Sequence, residues 1–375
     1  MGSTEYEWTP VSAARLGLST GFFIQGCGVP YMSLLWIGES DRPVKQDRTS
    51  DMVMDSVYNY YGSDSPELPY DPGQLFIDNG AYTAKRQGID LDPDNVLDLQ
   101  LGLDPEKAIP LDYPLTPKMN EPRMEEAWGK TKENIIYWQE SSTLDEVIPT
   151  LHAWDRRSLE NNLRWLQRYA DTNMIALGSI VNDQFDKSGF FGDRTLNTDL
   201  IDMLATAIKT VRKTTDFSVH LMGFGSSPIT LHLGYYLGIE SIDSAGYRRK
   251  AAYGKILLPG RGERHIGYNH TTFGTGPERP SSLSSEEWKL LNQCDCEICG
   301  GGNIEQLWLD WRARAIHNEY VMKEETRTAE ELLTVGVDAY ENYLSNTFGN
   351  SQLNYFLKHS KKAKRYRDMS DILVQ

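Results

Sequence analysis

From about residue 70 the chain alternates short apolar runs with amphipathic stretches. The runs are LFIDNG (75–80), AIPLDYP (108–114), EVIPTLHAW (146–154), MIALGSIV (174–181), VHLMGFG (219–225), SIDSAG (241–246) and KILLPG (255–260). Each is short enough for a buried strand, and most end in a polar or Gly-rich turn. Helical spacing appears between them. Leu159, Leu163 and Leu166 follow Asp155, and Leu200, Leu204, Ile208 and Val211 form a second stripe. Ser227-Pro228 reads as a helix start, with proline in the first turn. Strands alternating with helices imply a parallel sheet.

Six or more such units within about 200 residues favour a closed (β/α)8 TIM barrel. An open doubly wound sheet is the runner-up. No G-x-G-x-x-G opens the first unit, and GFG at 223–225 is too short for a dinucleotide fingerprint. Residues 1–70 read as irregular, with apolar pieces such as Gly21 to Ile24. After about 288 the alternation stops. Ile304, Leu307, Trp308, Trp311 and Ala315 then mark one helix; Leu333, Val337, Tyr340 and Leu344 mark another. The expected organisation is α/β: a catalytic barrel over 1–288, a zinc-binding helical subdomain over 289–350, and a basic tail over 351–375.

The 375-residue length suits a barrel with an appended subdomain. No run of about 18 apolar residues occurs, so no membrane span is expected. The acidic, polar N-terminus is unlike a signal peptide, which makes the cytoplasm the expected compartment. The net charge of −15 argues against a general nucleic-acid coat, but a nucleic-acid footprint is local. Two basic stretches could contact phosphate. One is Arg248, Arg249, Lys250 and Lys255 with Arg261 and Arg264; the other runs from Lys358 to Arg367.

Three of the four cysteines fall within six residues, which is the wrong distribution for a disulfide framework. Cys294, Cys296 and Cys299 place three soft ligands on one tight loop. A tetrahedral zinc needs a fourth ligand. His317, one helix downstream, is the best candidate; His265 and His270 are weaker ones. Four protein ligands leave no open coordination position, so the expected metal is structural. Cys27 stands alone and reads as a small buried residue.

Three apolar runs end in aspartate: Asp78, Asp112 and Asp243. The C-terminal strand ends form the active face of a barrel, so the three carboxylates could converge. One could attack, one could move protons and one could bind an amide-like edge. Each could equally be a plain helix N-cap. Tyr82 and Met222 could sandwich a flat heterocycle, or simply fill the core. Gly178 and Gly223 would let backbone amides approach a ligand.

Together these residues resemble the queuine/archaeosine tRNA-guanine transglycosylases. CDCEIC followed by IHNEY resembles the zinc end of that family. IDNGAY is similar to its Asp-Ser-Gly-Gly-Phe segment, HLMGFG to its Met-Gly-Val-Gly turn, and ALGSIV to its Gly-Gly-Leu turn. GIESIDSAGYRRKA resembles the segment that carries its nucleophile. The resemblance runs from about residue 70 to 320 in the same order. It implies Asp243 as the nucleophile at the sugar C1′ and Asp78 as the general acid/base. It implies Asp112, Tyr82, His152, Gly178, Ser179, Met222 and Gly223 around the base, and Arg248, Arg249 and Lys250 on the polynucleotide.

The departures point to one branch. Ala245-Gly246-Tyr247-Arg248 stands where the family has Pro-Thr-Arg, His152-Ala153 where it has Gln-Gly, and Ser179 for a glycine. The spacing from Cys299 to His317 is shorter than usual. These changes are similar to the divergent branch that inserts 7-deazaguanine bases such as 7-cyano-7-deazaguanine (preQ0) into DNA, in bacterial cells or phage-infected hosts. Its expected partners are DNA, with tRNA as the alternative, the free base, and a second copy of the chain as a homodimer. Two readings stay beside it: a non-catalytic transglycosylase subunit, and an unrelated zinc-stabilised barrel such as a glycoside hydrolase.

Overall fold

The computed structural model describes residues 34–63, 65–116, 119–178, 196–266, 270–271, 274–275, 281–349 and 354. Nine strands form one parallel sheet: β1 (Leu34–Gly38), β2 (Asp47–Ser56), β3 (Asp71–Asp78), β4 (Lys107–Ala108), β5 (Glu146–Val147), β6 (Thr150–Leu151), β7 (Met174–Leu177), β8 (Ser218–Leu221) and β9 (Ser241–Ser244). They run in the order β5-β4-β3-β2-β1-β9-β8-β7-β6. The two ends of that order belong to one stretch of chain. Ile148 N donates to Ala108 O at 2.8 Å, and Ala176 N donates to Pro149 O at 2.9 Å. Pro149 has no N–H to give, so the ladder breaks there and one strand is divided into β5 and β6. Counted as one, this strand closes an eight-position barrel in sequential order.

The structure corrects the sequence reading in its strands and after residue 300, where the expected helix over 304–315 is split between Gln306–Leu309 and Trp311–Val335 and the expected helix over 333–344 between Trp311–Val335 and Val337–Thr347. Residues 34–56 are not irregular, because β1 and β2 are the first two barrel strands. The polar look of β2 comes from buried ion pairs: Arg48 is fully buried and bonds Glu39, Asp51 and Glu319. KILLPG is not a barrel strand. It supplies β10 (Lys255–Leu258), which pairs antiparallel with β11 (Gly262–His265) in a hairpin outside the barrel. Residues 1–33, with Cys27, and the basic tail from Lys358 to Arg367 lie outside the described residues.

The helices follow the expected stripes. They are α1 (Ala81–Gln87), α2 (Pro93–Leu103), α3 (Glu121–Ser141), α4 (Arg156–Tyr169), α5 (Leu196–Thr214), α6 (Pro228–Tyr236) and α7 (Gly246–Ala252). Asp155 caps α4 by accepting from Ser158 N at 2.6 Å. Ser227 caps α6 in the same way, with Pro228 in the first turn. Leu159, Leu163 and Leu166 are fully buried against the sheet, which accounts for the period of about 3.6.

After the hairpin come α8 (Ser285–Asn292), α9 (Gln306–Leu309), α10 (Trp311–Val335) and α11 (Val337–Thr347). α10 lies along α7, β10 and α6. Its Val321, Met322 and Ala329 share a continuous apolar cluster with barrel residues such as Leu35 and Ile242. A second cluster of Ile256, Leu258, Leu291, Cys296, Cys299 and Leu307 joins the hairpin to the cysteine loop. Among the described residues no helix is long and apolar enough to cross a membrane.

The barrel interior is a small, separate cluster of Trp36, Met54, Phe76, Ile109, Ile148 and Ala176. Successive strand positions each supply one inward-facing side chain to this packed interior. The last two positions are polar. His220 of β8 lies edge-on to Phe76 with ring centroids 5.0 Å apart, and Ser241 of β9 accepts the Trp36 indole N–H at 3.0 Å.

Candidate active site

The three aspartates meet at the C-terminal mouth of the barrel. Asp78 is the last residue of β3, Asp112 lies in the segment after β4, and Asp243 sits in β9. Their separation along the chain is bridged by closure of the sheet, because β9 pairs with β1 and β1 with β2.

Asp78 is held at one oxygen. Its Oδ2 accepts from Gly80 N at 3.0 Å and from Ser56 Oγ at 3.3 Å. Among the described residues nothing bonds Oδ1. Burial first, and then the negative charges of Asp112 and Asp243, push its carboxyl up to about 7; the Gly80 N–H opposes this. A carboxyl poised there can give and take a proton at neutral pH.

That shift has a consequence for stability. The folded state holds the Asp78 proton more tightly than the unfolded chain, whose carboxyl keeps the ordinary value of 3.8. Its contribution is therefore fully present below that value and is lost as pH rises through about 7. Asp78→Asn should then melt higher than the native protein at pH 8 and show little gain at pH 4. The gain should be on the order of 2 kcal/mol, allowing for a cleft partly open to water. An equal melting difference at both pH values would contradict this assignment.

Asp112 is buried. Its Oδ1 accepts from Asn79 Nδ2 at 3.1 Å, and its Oδ2 lies 2.8 Å from His152 Nε2. His152, just beyond β6, is itself fully buried and presents its ring edge to Trp128. The ring is seated against Gly178. A Cβ at that position would lie 2.9 Å from His152 Cε1 and 2.5 Å from Thr150 Cγ2, so only glycine lets the imidazole reach Asp112 without displacement. The two residues give a carboxylate acceptor and an imidazole side by side, a pair suited to the edge of a purine.

Asp243 is partly exposed, with 15% of its side chain accessible. Its Oδ1 accepts the Gly223 N–H and faces His220 Nε2 at 3.4 Å. Gly223 reaches it from a turn at φ +65°, a left-handed conformation that favours glycine. Among the described residues nothing bonds Oδ2.

Met222 is half-buried against the barrel interior. Tyr82 is 56% exposed at the start of α1, with the Arg86 guanidinium 5.9 Å above its ring. Ser179 lies outside the described residues. The basic residues after Asp243 differ in availability. Arg248 bonds Glu39 Oε1 at 2.6 Å and the Arg42 carbonyl at 2.7 Å, and Lys250 pairs with Glu263, while Arg249 is exposed.

Sequence reasoning missed Ser56, Asn79, His220 and Ser241. Asn79 stood inside the IDNG motif and His220 inside HLMGFG, so both had a signal. Ser56 had none, because β2 read as irregular.

Cys294, Cys296, Cys299 and His317 come together outside the barrel, their ligand atoms all within 4.8 Å of one another. His317 Nδ1 lies 3.6, 3.5 and 3.5 Å from the three sulfurs. A tetrahedral zinc at ordinary bond lengths imposes a sulfur–nitrogen separation of about 3.5 Å. The His317 Nε2–H donates to the Leu257 carbonyl at 2.8 Å, which leaves the Nδ1 lone pair facing the sulfurs. The donor set fits zinc in type, number and spacing. His265 is not in the cluster; its backbone is tied to Ser282. His270 is in the two-residue strand β12 (His270–Thr271).

A family model for queuine tRNA-ribosyltransferase matches residues 77–338, more than half of the chain. A comparison with curated proteins finds no match. The chain belongs to the queuine tRNA-ribosyltransferase family, whose chemistry is base exchange on a pentose.

Proposed function

We propose that this member of the family exchanges guanine in DNA for a 7-deazaguanine base such as preQ0. The observation that carries the chemistry is the trio of carboxylates in distinct states. Asp78 is poised near neutrality, Asp112 is paired with His152, and Asp243 has one free oxygen.

Asp243 Oδ2 forms a bond to the sugar C1′ while the C1′–N9 bond breaks. The electron pair leaves with the base, and Asp78 supplies its proton. The incoming base then loses a proton to Asp78. Its nitrogen pair forms the new glycosidic bond, and the Asp243 carboxylate departs. Asp112 and His152 read the base edge, Gly178 and Gly223 line the pocket, and Tyr82 and Met222 take the two faces. The target base must be unstacked to enter so enclosed a site. Zinc held by Cys294, Cys296, Cys299 and His317 would act as a structural staple; four protein ligands leave it no open position.

The DNA reading rests on the residues where the chain departs from its family: His152-Ala153 beside the base and Ala245-Gly246-Tyr247-Arg248 beside the nucleophile. Labelled guanine offered with DNA and with tRNA in parallel tests it. Incorporation into tRNA alone would sink the DNA reading. A non-catalytic subunit need not keep a nucleophile, a proton donor and a base-reading carboxylate together. A homodimer through the aromatic-rich helices after the zinc loop is compatible with this reading.

The unequal engagement of the basic residues makes a prediction. Arg249→Ala should weaken polynucleotide binding and lower the slope of log affinity against log salt by about 1. Arg248→Ala should instead lower the melting temperature, because it leaves Glu39 short of a partner in the Arg48 network. Salt-dependent binding isotherms and melting curves distinguish the two. An unchanged salt slope in Arg249→Ala would remove that residue from the interface.

A further inference from the structure

We propose that His220 is a positioning residue that fixes the orientation of Asp243 and eases its departure as a leaving group. The inference rests on the reading of Asp243 as nucleophile and extends it to a residue inside the barrel.

An imidazole in a barrel interior otherwise filled by Trp36, Met54, Phe76, Ile109 and Ile148 calls for a physical reason. His220 is fully buried. Its Nδ1 lies 2.8 Å from Ser241 Oγ, and the same oxygen accepts the Trp36 Nε1–H at 3.0 Å. Indole nitrogen only donates. Ser241 Oγ is thus an acceptor toward Trp36, and among the described residues its own hydrogen has one acceptor, His220 Nδ1. The network therefore leaves Nδ1 bare and puts the ring hydrogen on Nε2. That buried Nε2 makes no well-formed hydrogen bond, and it lies 3.4 Å from Asp243 Oδ1. Trp36, Ser241 and His220 thus form a chain of donors within the barrel interior that leads to the carboxylate.

The Gly223 N–H donates to Oδ1 from the β8 turn, and the His220 Nε2–H faces the same oxygen at 3.4 Å. Oδ2 is left facing the cleft. During exchange the Oδ2–C1′ bond forms as the glycosidic bond breaks, and Oδ1 becomes an ester carbonyl. In the second half-reaction the Oδ2–C1′ electron pair returns to Asp243. His220 neither gains nor loses a proton. Its N–H stabilises the carboxylate more than the ester, so its effect falls on release of the covalent intermediate.

This asymmetry separates positioning from support of the fold. His220→Phe keeps a ring against Phe76 and removes the donor. With a guanine-containing DNA duplex and with tRNA, each offered labelled guanine, kcat should fall about 100-fold. The fraction of nucleic acid trapped covalently on the protein should rise. His220→Gln, which restores a side-chain N–H, should recover much of the loss. Unchanged kcat in His220→Phe, or adduct and turnover falling together in both variants, would overturn the proposal. Imidazole ¹⁵N spectra, with the His220 signals assigned through His220→Phe, provide a readout that needs no substrate. The hydrogen should sit on Nε2, and a hydrogen on Nδ1 would overturn the proposal. Asp243→Asn separates the two levels of inference. If it still exchanges base, the nucleophile reading itself fails. If it is inert while His220→Phe behaves as wild type, only the positioning role fails.

Discussion

Replacing Asp243 with asparagine is expected to abolish base exchange, with a loss of about 10⁴-fold or more, and to remove any covalent protein–nucleic acid adduct. The size follows from the role. An amide oxygen cannot form and release an ester at C1′, and what survives is catalysis by binding and the remaining groups. The substitution is nearly isosteric, and the Gly223 N–H can still be accepted by the amide oxygen, so the fold should persist. Denaturing electrophoresis of the protein mixed with labelled nucleic acid checks the adduct, and guanine incorporation checks turnover. Asp78→Asn offers a contrast. It keeps the nucleophile and removes the proton carrier, so both half-reactions should slow by about 10²–10⁴-fold, with some adduct still formed. Equal turnover by native protein and Asp243→Asn would refute the nucleophile assignment whatever the polynucleotide.

The second large effect concerns the cysteine cluster. Purified protein should carry one equivalent of zinc, and His317→Ala or Cys296→Ser should lose it. These side chains are buried in the apolar cluster that ties the hairpin to α8 and α10, so three unsatisfied thiols or an empty corner there cost stability directly. The expected loss is on the order of 3–5 kcal/mol, that of breaking a buried interacting group, or a melting temperature lower by about 10 °C. Because four protein ligands close the coordination sphere, variant protein that remains folded at low temperature should keep most of its kcat. Elemental analysis with melting curves tests the first part. Full loss of turnover in folded, metal-free protein would show that the metal takes part in the chemistry.

The legibility of the site varied residue by residue, for physical reasons. Asp78, Asp112 and Asp243 could be read because an aspartate at the end of an apolar run is visible without a fold. Gly178 was visible as a glycine, but its function is spatial. It makes room for the ring of His152, which lies just beyond β6 and 26 positions earlier in the chain. Arg248 read as a phosphate contact because a charge run looks the same in solution and in an ion-pair network. Its partners Glu39 and Arg42 lie some 200 positions away. β1 and β2 were missed for a related reason. One is five residues long, and the other carries Arg48, Asp51 and Asp55, whose charges are buried only because partners elsewhere neutralise or hydrogen-bond them.

By itself the sequence determined the α/β alternation, the capped helices, the grouping of three cysteines on one loop with His317 as their candidate partner, and the three aspartates at the ends of apolar runs. All of these depend on local spacing or on residue type, which survive without a fold. Tertiary structure alone decided that the sheet closes through one strand broken at Pro149. It also decided that Asp78 is held near neutrality by burial and by Asp112 and Asp243. It set His152 against Asp112, and it placed a buried histidine–serine–tryptophan chain beside Asp243. Each of these is a contact between distant segments. Its strength depends on distance and on exclusion of water, and neither quantity exists until the barrel has closed.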